Sequence, residues 1–351
     1  MEGFKMTEWS QEKEKKILRK YRFTLTSRIL RILLLCAAIY GLYILSLSII
    51  FDKTRPDRKH IYNSLMALEW QQPNIKGQYS GSTAEITPLL TQKFSYPLVK
   101  QVGKENVMVG EMYVDKKILN TSSSMKMNLT LKNSSSSSSL KPTNEFEKFS
   151  FNLPENPRTG KATSSKINNG VWKTLEKLPE GTVAELAFST ATFMEPKKLI
   201  KMLEPYDVEV VWMPIYTGEF KSFESFSTGE DSVNLTIYDS FGLTGGMKVS
   251  DDYLKIWVGQ NLTQGGVRDS QRVMLENMEK LLNNEKKSYI EDFLGLSHLQ
   301  ERYDYLKKNG FQAYGAVVTG PTKNLLMLKD IEGISNQKLG NVELWNWYND
   351  W

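Results

Sequence analysis

The sequence predicts a mixed α/β (α+β) fold: a domain containing a degenerate βαβ repeat, preceded by one transmembrane helix. Three observations predict it. Residues 32–51 are twenty uncharged, mostly apolar residues, which at about 1.5 Å per residue span a hydrocarbon core of about 30 Å. Downstream, short β-branched runs alternate with helical patterns opened by proline or closed by glycine. Finally, residues 183–216 and 312–348 share one order. Each runs strand, threonine-bearing turn, Pro-x-Lys, apolar helix, then a Val-Glu strand carrying Trp and Tyr.

Charge explains the N-terminus. The chain carries 45 Lys/Arg against 40 Asp/Glu, and residues 1–31 hold nine of the former and four of the latter. Everything after them is neutral, so no field steers nucleic acid and no direct nucleic-acid partner is expected. Residues 8–29 read as a basic amphipathic helix: Ile17, Leu18, Tyr21 and Leu25 recur at helical spacing among the cations. It serves either as a flank resting on anionic membrane lipid or as a docking helix. In the second case Lys16, Arg19, Lys20 and Arg22 are the candidate partner-binding residues.

The apolar run competes with a signal peptide ending near Ser46 and Ser48. It continues through Ile49, Ile50 and Phe51, which favours an uncleaved anchor. Nine Lys/Arg precede the run and four (Lys53, Arg55, Arg58, Lys59) follow it. That bias places the N-terminus in the cytoplasm and the rest outside, in a single pass through the cell membrane. The expected divisions are a basic cytoplasmic segment, 1–31; the transmembrane helix, 32–51; a membrane-proximal region with strands and a Ser-rich loop, 52–165; and a C-terminal α/β domain, 166–351. The single cysteine, Cys36, lies in the apolar run, so disulfides do not hold the outer part and a bacterium without an oxidising periplasm is the fitting source.

Between these landmarks, residues 58–70 read as a juxtamembrane helix stopped near Pro73. Residues 108–115 and 125–132 alternate as strands, and the serines at 134–139 form a loop tip. Residues 269–284 and 288–308 read as helices, the second closed by Asn309 and Gly310. Trp345, Trp347, Tyr348 and Trp351 form an aromatic tail, by default part of a sheet core.

Residues 315–323, GAVVTGPTK, have the spacing of a phosphate-binding P-loop, but Pro321 stands where the lysine belongs. Proline removes both an N–H and the cation the phosphates need. The stretch therefore reads as a strand-to-helix turn, with Thr319, Gly320, Pro321 and Thr322, together with Trp345 and Trp347, as candidate functional or structural positions of the outer domain. Two isolated histidines, His60 and His298, and no G-x-S-x-G elbow offer neither a triad nor a zinc set. Asp251 with Asp252, and Asp207 with Glu209, are carboxylate pairs of a kind common on solvated turns and strands. No enzyme is expected: no catalytic residue, no metal ligand and no cofactor-binding residue stands out.

Two stretches carry a family resemblance. Residues 15–35, KKILRKYRFTLTSRILRILLL, resemble the membrane-entry motif of the bacterial sigma factor regulator family, found mainly in Bacillus-like Gram-positive bacteria. Residues 184–190 with 211–218, then 314–323 and 342–349, are similar to that family's C-terminal domain. The resemblance implies a membrane-anchored anti-sigma factor or accessory. Its cytoplasmic end would engage an extracytoplasmic-function sigma factor, or a member of an anti-sigma complex, while the outer domain senses envelope state. The 31 residues before the span are shorter than family members that hold a sigma factor directly, and contain no Cys or His. The residues themselves leave open a second reading, an extracytoplasmic binding or envelope-assembly module for which the helix is only an anchor.

Overall fold

The computed structural model describes residues 11–54, 56–78, 84–117, 120–130, 149–163, 169–224, 235–259 and 262–345. It divides into two compact units, 1–56 and 57–351.

The first unit is one helix, α1 (Gln11–Thr54), unbroken for 44 residues, or about 66 Å. No proline or glycine separates the basic segment from the apolar run, so the hydrogen-bond ladder continues through both; Gly41 lies within the apolar stretch. Its large apolar side chains are exposed: Leu33, Leu34 and Leu35 each leave about 60% of their surface open. From Glu12 to Phe51 this helix is long and apolar enough to cross a membrane.

The second unit opens with α2 (Pro56–Gln71), whose residues 61–70 are all buried. A helix buried on every face belongs inside a core, and here it packs between several elements. Tyr62 donates to the Met247 carbonyl at 2.8 Å, Tyr96 donates to Ser64 at 3.2 Å, and Trp212 Nε1 donates to the Glu69 carbonyl at 2.9 Å.

One antiparallel sheet comprises β1 (Lys76–Gly77), β2 (Glu85–Ile86), β3 (Gln92–Val102), β4 (Glu105–Lys116) and β5 (Ser124–Leu129). Strands β1 and β2 pair in tandem along one edge of β3, which pairs on its other side with β4, and β4 with β5. The expected strands at 108–115 and 125–132 correspond to β4 and β5; β5 ends at Leu129, and residues 131 and 132 lie outside the described residues. Strand β3 escaped detection because Pro97 and its lysines and glutamines break the alternation. Pro97 is tolerated at this edge, where its carbonyl accepts from Gln78 N–H at 2.8 Å.

After α3 (Asn169–Lys177) come β6 (Thr182–Met194), α4 (Pro196–Leu203), β7 (Glu209–Ile215), β8 (Phe241–Leu243), and a hairpin of β9 (Met247–Val249) and β10 (Ile256–Val258). Then follow α5 (Val267–Asn284), α6 (Leu299–Asn309), β11 (Ala313–Pro321), α7 (Thr322–Met327) and β12 (Ile334–Leu344). The second sheet has the order β12-β6-β11-β7-β8 with every ladder antiparallel. The two repeat copies, β6-α4-β7 and β11-α7-β12, are thus split βαβ units, each parallel pair separated by a strand of the other copy. That is the ferredoxin-like interleaving.

This sheet is covered on both faces, which accounts for its unbroken apolar runs. On β6, Leu186 and Phe188 enter the core shared with α2, β3 and α5, while Ala187 enters a second cluster with Phe151, Trp212 and Tyr314. The same large core also holds Phe94, Tyr96 and Leu98 of the first sheet.

Two expectations are corrected. The helix foreseen at 288–308 is a single π-turn, Tyr289–Phe293, followed by α6. Gly295 and His298 take left-handed φ of 69° and 57° and redirect the chain between them. The final strand, foreseen from Val342, begins at Ile334. Its first half is polar because it lies on a sheet edge, with register shifts on either side of Lys338 and Leu339.

Candidate functional site

The P-loop-like stretch is the end of β11 and the start of α7. Thr319, Gly320 and Pro321 close the strand, and Thr322 opens the helix. Thr319 is fully buried and uses its hydroxyl twice, donating to the Ala184 carbonyl at 2.9 Å and accepting from Gly103 N–H at 2.5 Å. Thr322 and Thr182 share a hydroxyl hydrogen bond of 2.9 Å. The two copies match to within a residue: Pro196 is the first helical residue of α4, whereas Pro321 is the cap of α7.

Gly103 belongs to a two-residue turn joining β3 to β4, paired at Val102 and Glu105. Its φ of +65° at the first turn position is that of a type II′ hairpin, and a Cβ there would sit 3.0 Å from Val183. The tip of the first sheet is therefore fastened onto the second. Gln101 adds a 2.5 Å hydrogen bond to Glu209 on β7. Deeper in, Lys100 Nζ meets Glu185 on β6 at 3.0 Å; both side chains are buried, and Asn74 donates to the same carboxylate at 2.8 Å. A second buried ion pair, Arg302 with Glu219, closes the loop after β7, with Thr217 sharing the guanidinium.

Two clefts flank the hairpin tip. The smaller, about 440 Å³, lies between Gly103, the Thr319–Pro321 strand end and Trp345. Trp345 thus lines a cavity beside the turn, with its backbone N–H donating to the Gly181 carbonyl at 2.7 Å. Trp347 lies outside the described residues. The larger cleft, about 1070 Å³, shares Lys104, Asp207 and Glu209 with the smaller and reaches inward to Glu69 on α2. Among the described residues no three His, Cys, Asp or Glu side chains converge on a metal-sized site.

Glu69 was not legible as a site residue, because an acid in a helix that begins near a membrane reads as a solvated one. In the structure it is 4% exposed. Burial pushes its carboxyl above the usual carboxylate range, with Lys76 and a hydrogen bond from Thr244 pulling partly back. That hydrogen bond, to Oε2, is 3.3 Å long.

On α1, Lys16, Arg19, Lys20 and Arg22 are all exposed. At about 100° per residue they occupy roughly half of the helix circumference, with Ile17, Leu18, Tyr21 and Leu25 on the other. Thr24 and Thr26 return their hydroxyls to the carbonyls of Lys20 and Arg22, keeping their polar atoms on the helix.

Comparison with known proteins resolves the origin of this arrangement. Residues 15–107 match the model of the sigma factor regulator N-terminal region, and residues 175–341 match that of the sigma factor regulator C-terminal region. The chain belongs to the sigma factor regulator family. The N-terminal match takes in the basic half of α1, its apolar half, α2 and the hairpin tip at Gly103. The C-terminal match takes in both split βαβ units except the last three residues of β12. A relative described as "Probable anti-sigma-M factor YhdL", from Bacillus subtilis (strain 168), is 27% identical over 281 residues. The aligned stretch is 78% of this chain and 66% of that protein, just under two thirds of its length. No solved structure matches the chain.

Proposed function

We propose that this sigma factor regulator is a single-pass membrane protein that controls an extracytoplasmic-function sigma factor, as an anti-sigma factor or as an accessory of one. The observation that carries this reading is the joint match of the N-terminal and C-terminal regulator regions on one chain, beside similarity to a protein described as an anti-sigma factor. The unbroken helix α1 supports the division of labour. Its apolar half needs a bilayer, and the basic half carries cations on one side and Ile17, Leu18 and Tyr21 on the other, the pattern of a helix that lies in a partner's groove. The excess of Lys/Arg ahead of the apolar run supports a cytoplasmic position for that half. Residues 57–351 then stand outside and report the state of the envelope through their clefts.

Membrane crosslinking of the tagged, full-length protein tests this. Recovery of a sigma factor that disappears when Lys16, Arg19, Lys20 and Arg22 are all alanine supports the reading. Recovery of envelope proteins alone, unchanged when residues 1–51 are replaced by an unrelated signal anchor, refutes it. The chain would then be an extracytoplasmic binding module.

A further inference from the structure

The larger cleft has a chemistry of its own. Its floor is Glu69, one of the most buried carboxylates among the described residues, which lines the cavity. Oε2 receives only the long 3.3 Å bond from Thr244, and Oε1 has no hydrogen bond among the described residues. Buried carboxylates are normally satisfied by several donors. This one sits in the last turn of α2, where the helix carbonyls add partial negative charge and that turn carries no basic residue; Lys76, beyond the helix, offsets it only in part.

The cavity wall strengthens the same sign. Glu204, Asp207 and Glu209 line it against Lys76 and Lys104, so with Glu69 the cleft holds four carboxylates and two ammonium groups. Val99, Val210 and Leu262 supply apolar surface between the charged rim and the buried acid. A volume of about 1070 Å³ admits a molecule of substantial size.

We propose that this cleft binds an organic ammonium group carried on an apolar stem, with Glu69 as its counter-ion. The ammonium supplies the hydrogen-bond donors and the positive charge that Oε1 lacks, and the stem covers Val99, Val210 and Leu262. Such a group comes either from a lysyl side chain of a peptide or from a free alkylamine. The shape also explains why an acid is kept where burial disfavours its charged form: the ligand restores what desolvation removes. The site belongs to residues 57–351 and stands whether or not the chain acts on a sigma factor.

Titration of the full-length protein in nonionic detergent with n-butylammonium, followed by calorimetry and by the melting temperature, tests the proposal. Saturable one-site binding is expected, with butan-1-ol, the same stem without the charge, at least tenfold weaker. Glu69→Gln is expected to keep the fold, melt higher without ligand, and lose at least tenfold in affinity. Lys76→Gln, which removes the nearest competing cation, is expected to bind more tightly. Equal binding of the alcohol, or undiminished binding to folded Glu69→Gln, overturns the proposal. Nα-acetyl-lysinamide separates the sources: tighter binding than n-butylammonium points to a peptide, weaker binding to a free amine.

Discussion

Helices α1 and α2 are separated by a single residue and could hardly be used more differently. In α1 leucines and isoleucines are open along the whole length, while in α2 ten successive residues are buried, among them Asn63, Ser64 and Glu69. Composition suggests the reverse, since α2 carries Asp57, Arg58, Lys59, His60 and Glu69. The difference teaches that α1 presents an apolar surface long enough to cross a membrane, whereas α2 is completed by specific partners within its own unit. Several polar groups of α2 have specific partners: His60 meets Tyr289 at 2.7 Å, Asn63 donates to the same hydroxyl at 3.3 Å, and Gln71 donates to the Leu294 carbonyl at 2.9 Å. Helix α2 is thereby at the centre of the second unit.

Substitutions that isolate a buried partner break this contrast most strongly. Lys100→Ala leaves Glu185 uncompensated in the core and is expected to destabilise residues 57–351 by about 3–5 kcal/mol, read as a fall in the denaturant midpoint. Leu65→Ala on α2 is expected to lose about 2–5 kcal/mol by the same measurement, whereas Leu34→Ala on α1 leaves the midpoint of residues 57–351 in place. A Leu65→Ala protein that unfolds like the parent would show α2 to be peripheral.

Acid sharpens the comparison. Burial, with Lys116 and Lys59 nearby, lowers the His60 pKa from 6.5 to about 3. Between those values the unfolded chain binds a proton that the folded chain does not. His60 therefore makes stability fall as the pH drops from about 6.5 toward 3, by up to about 1.4 kcal/mol per pH unit. His60→Gln is expected to flatten that part of the curve; an unchanged difference between pH 6.5 and 4.5 would mean the imidazole is not held neutral.

Glu69 has the opposite sign. Its carboxyl is raised by burial, so the folded state binds the extra proton and loses stability as the pH rises through the folded value. Glu69→Gln is expected to raise the melting temperature at pH 7 by about 2–4 °C for each kcal/mol of desolvation relieved. A lower melting temperature would make Glu69 a structural acid. The smallest effect on stability belongs to the exposed cations. Alanine at Lys16, Arg19, Lys20 and Arg22 is expected to shift the melting temperature by less than a degree, since surface positions rarely matter by more than about 0.5 kcal/mol. Only partner recovery should change.

Much of this was readable in advance, and for identifiable reasons. The apolar run, the repeat and the Pro321 turn announce themselves through local patterns: a length, a periodicity, a missing N–H. Strand β3 and the early part of β12 did not, because Pro97 and several polar residues interrupt the alternation in β3, and β12 is an edge strand that carries polar residues. The break at Gly295 was hidden inside a helical pattern, where only a left-handed φ reveals it. Thr319 was singled out as a turn residue, and its use as acceptor for the Gly103 N–H depends on a strand more than 200 residues away.

Sequence alone determined the apolar run within α1, the strand–helix–strand order of both repeat copies and the family, since each rests on neighbours along the chain. Tertiary structure alone decided that the copies interleave, that α2 is core, and that Glu69 faces a cleft. Those outcomes depend on which groups lose water together, and desolvation is a property of the packed neighbourhood, which no local stretch of residues specifies.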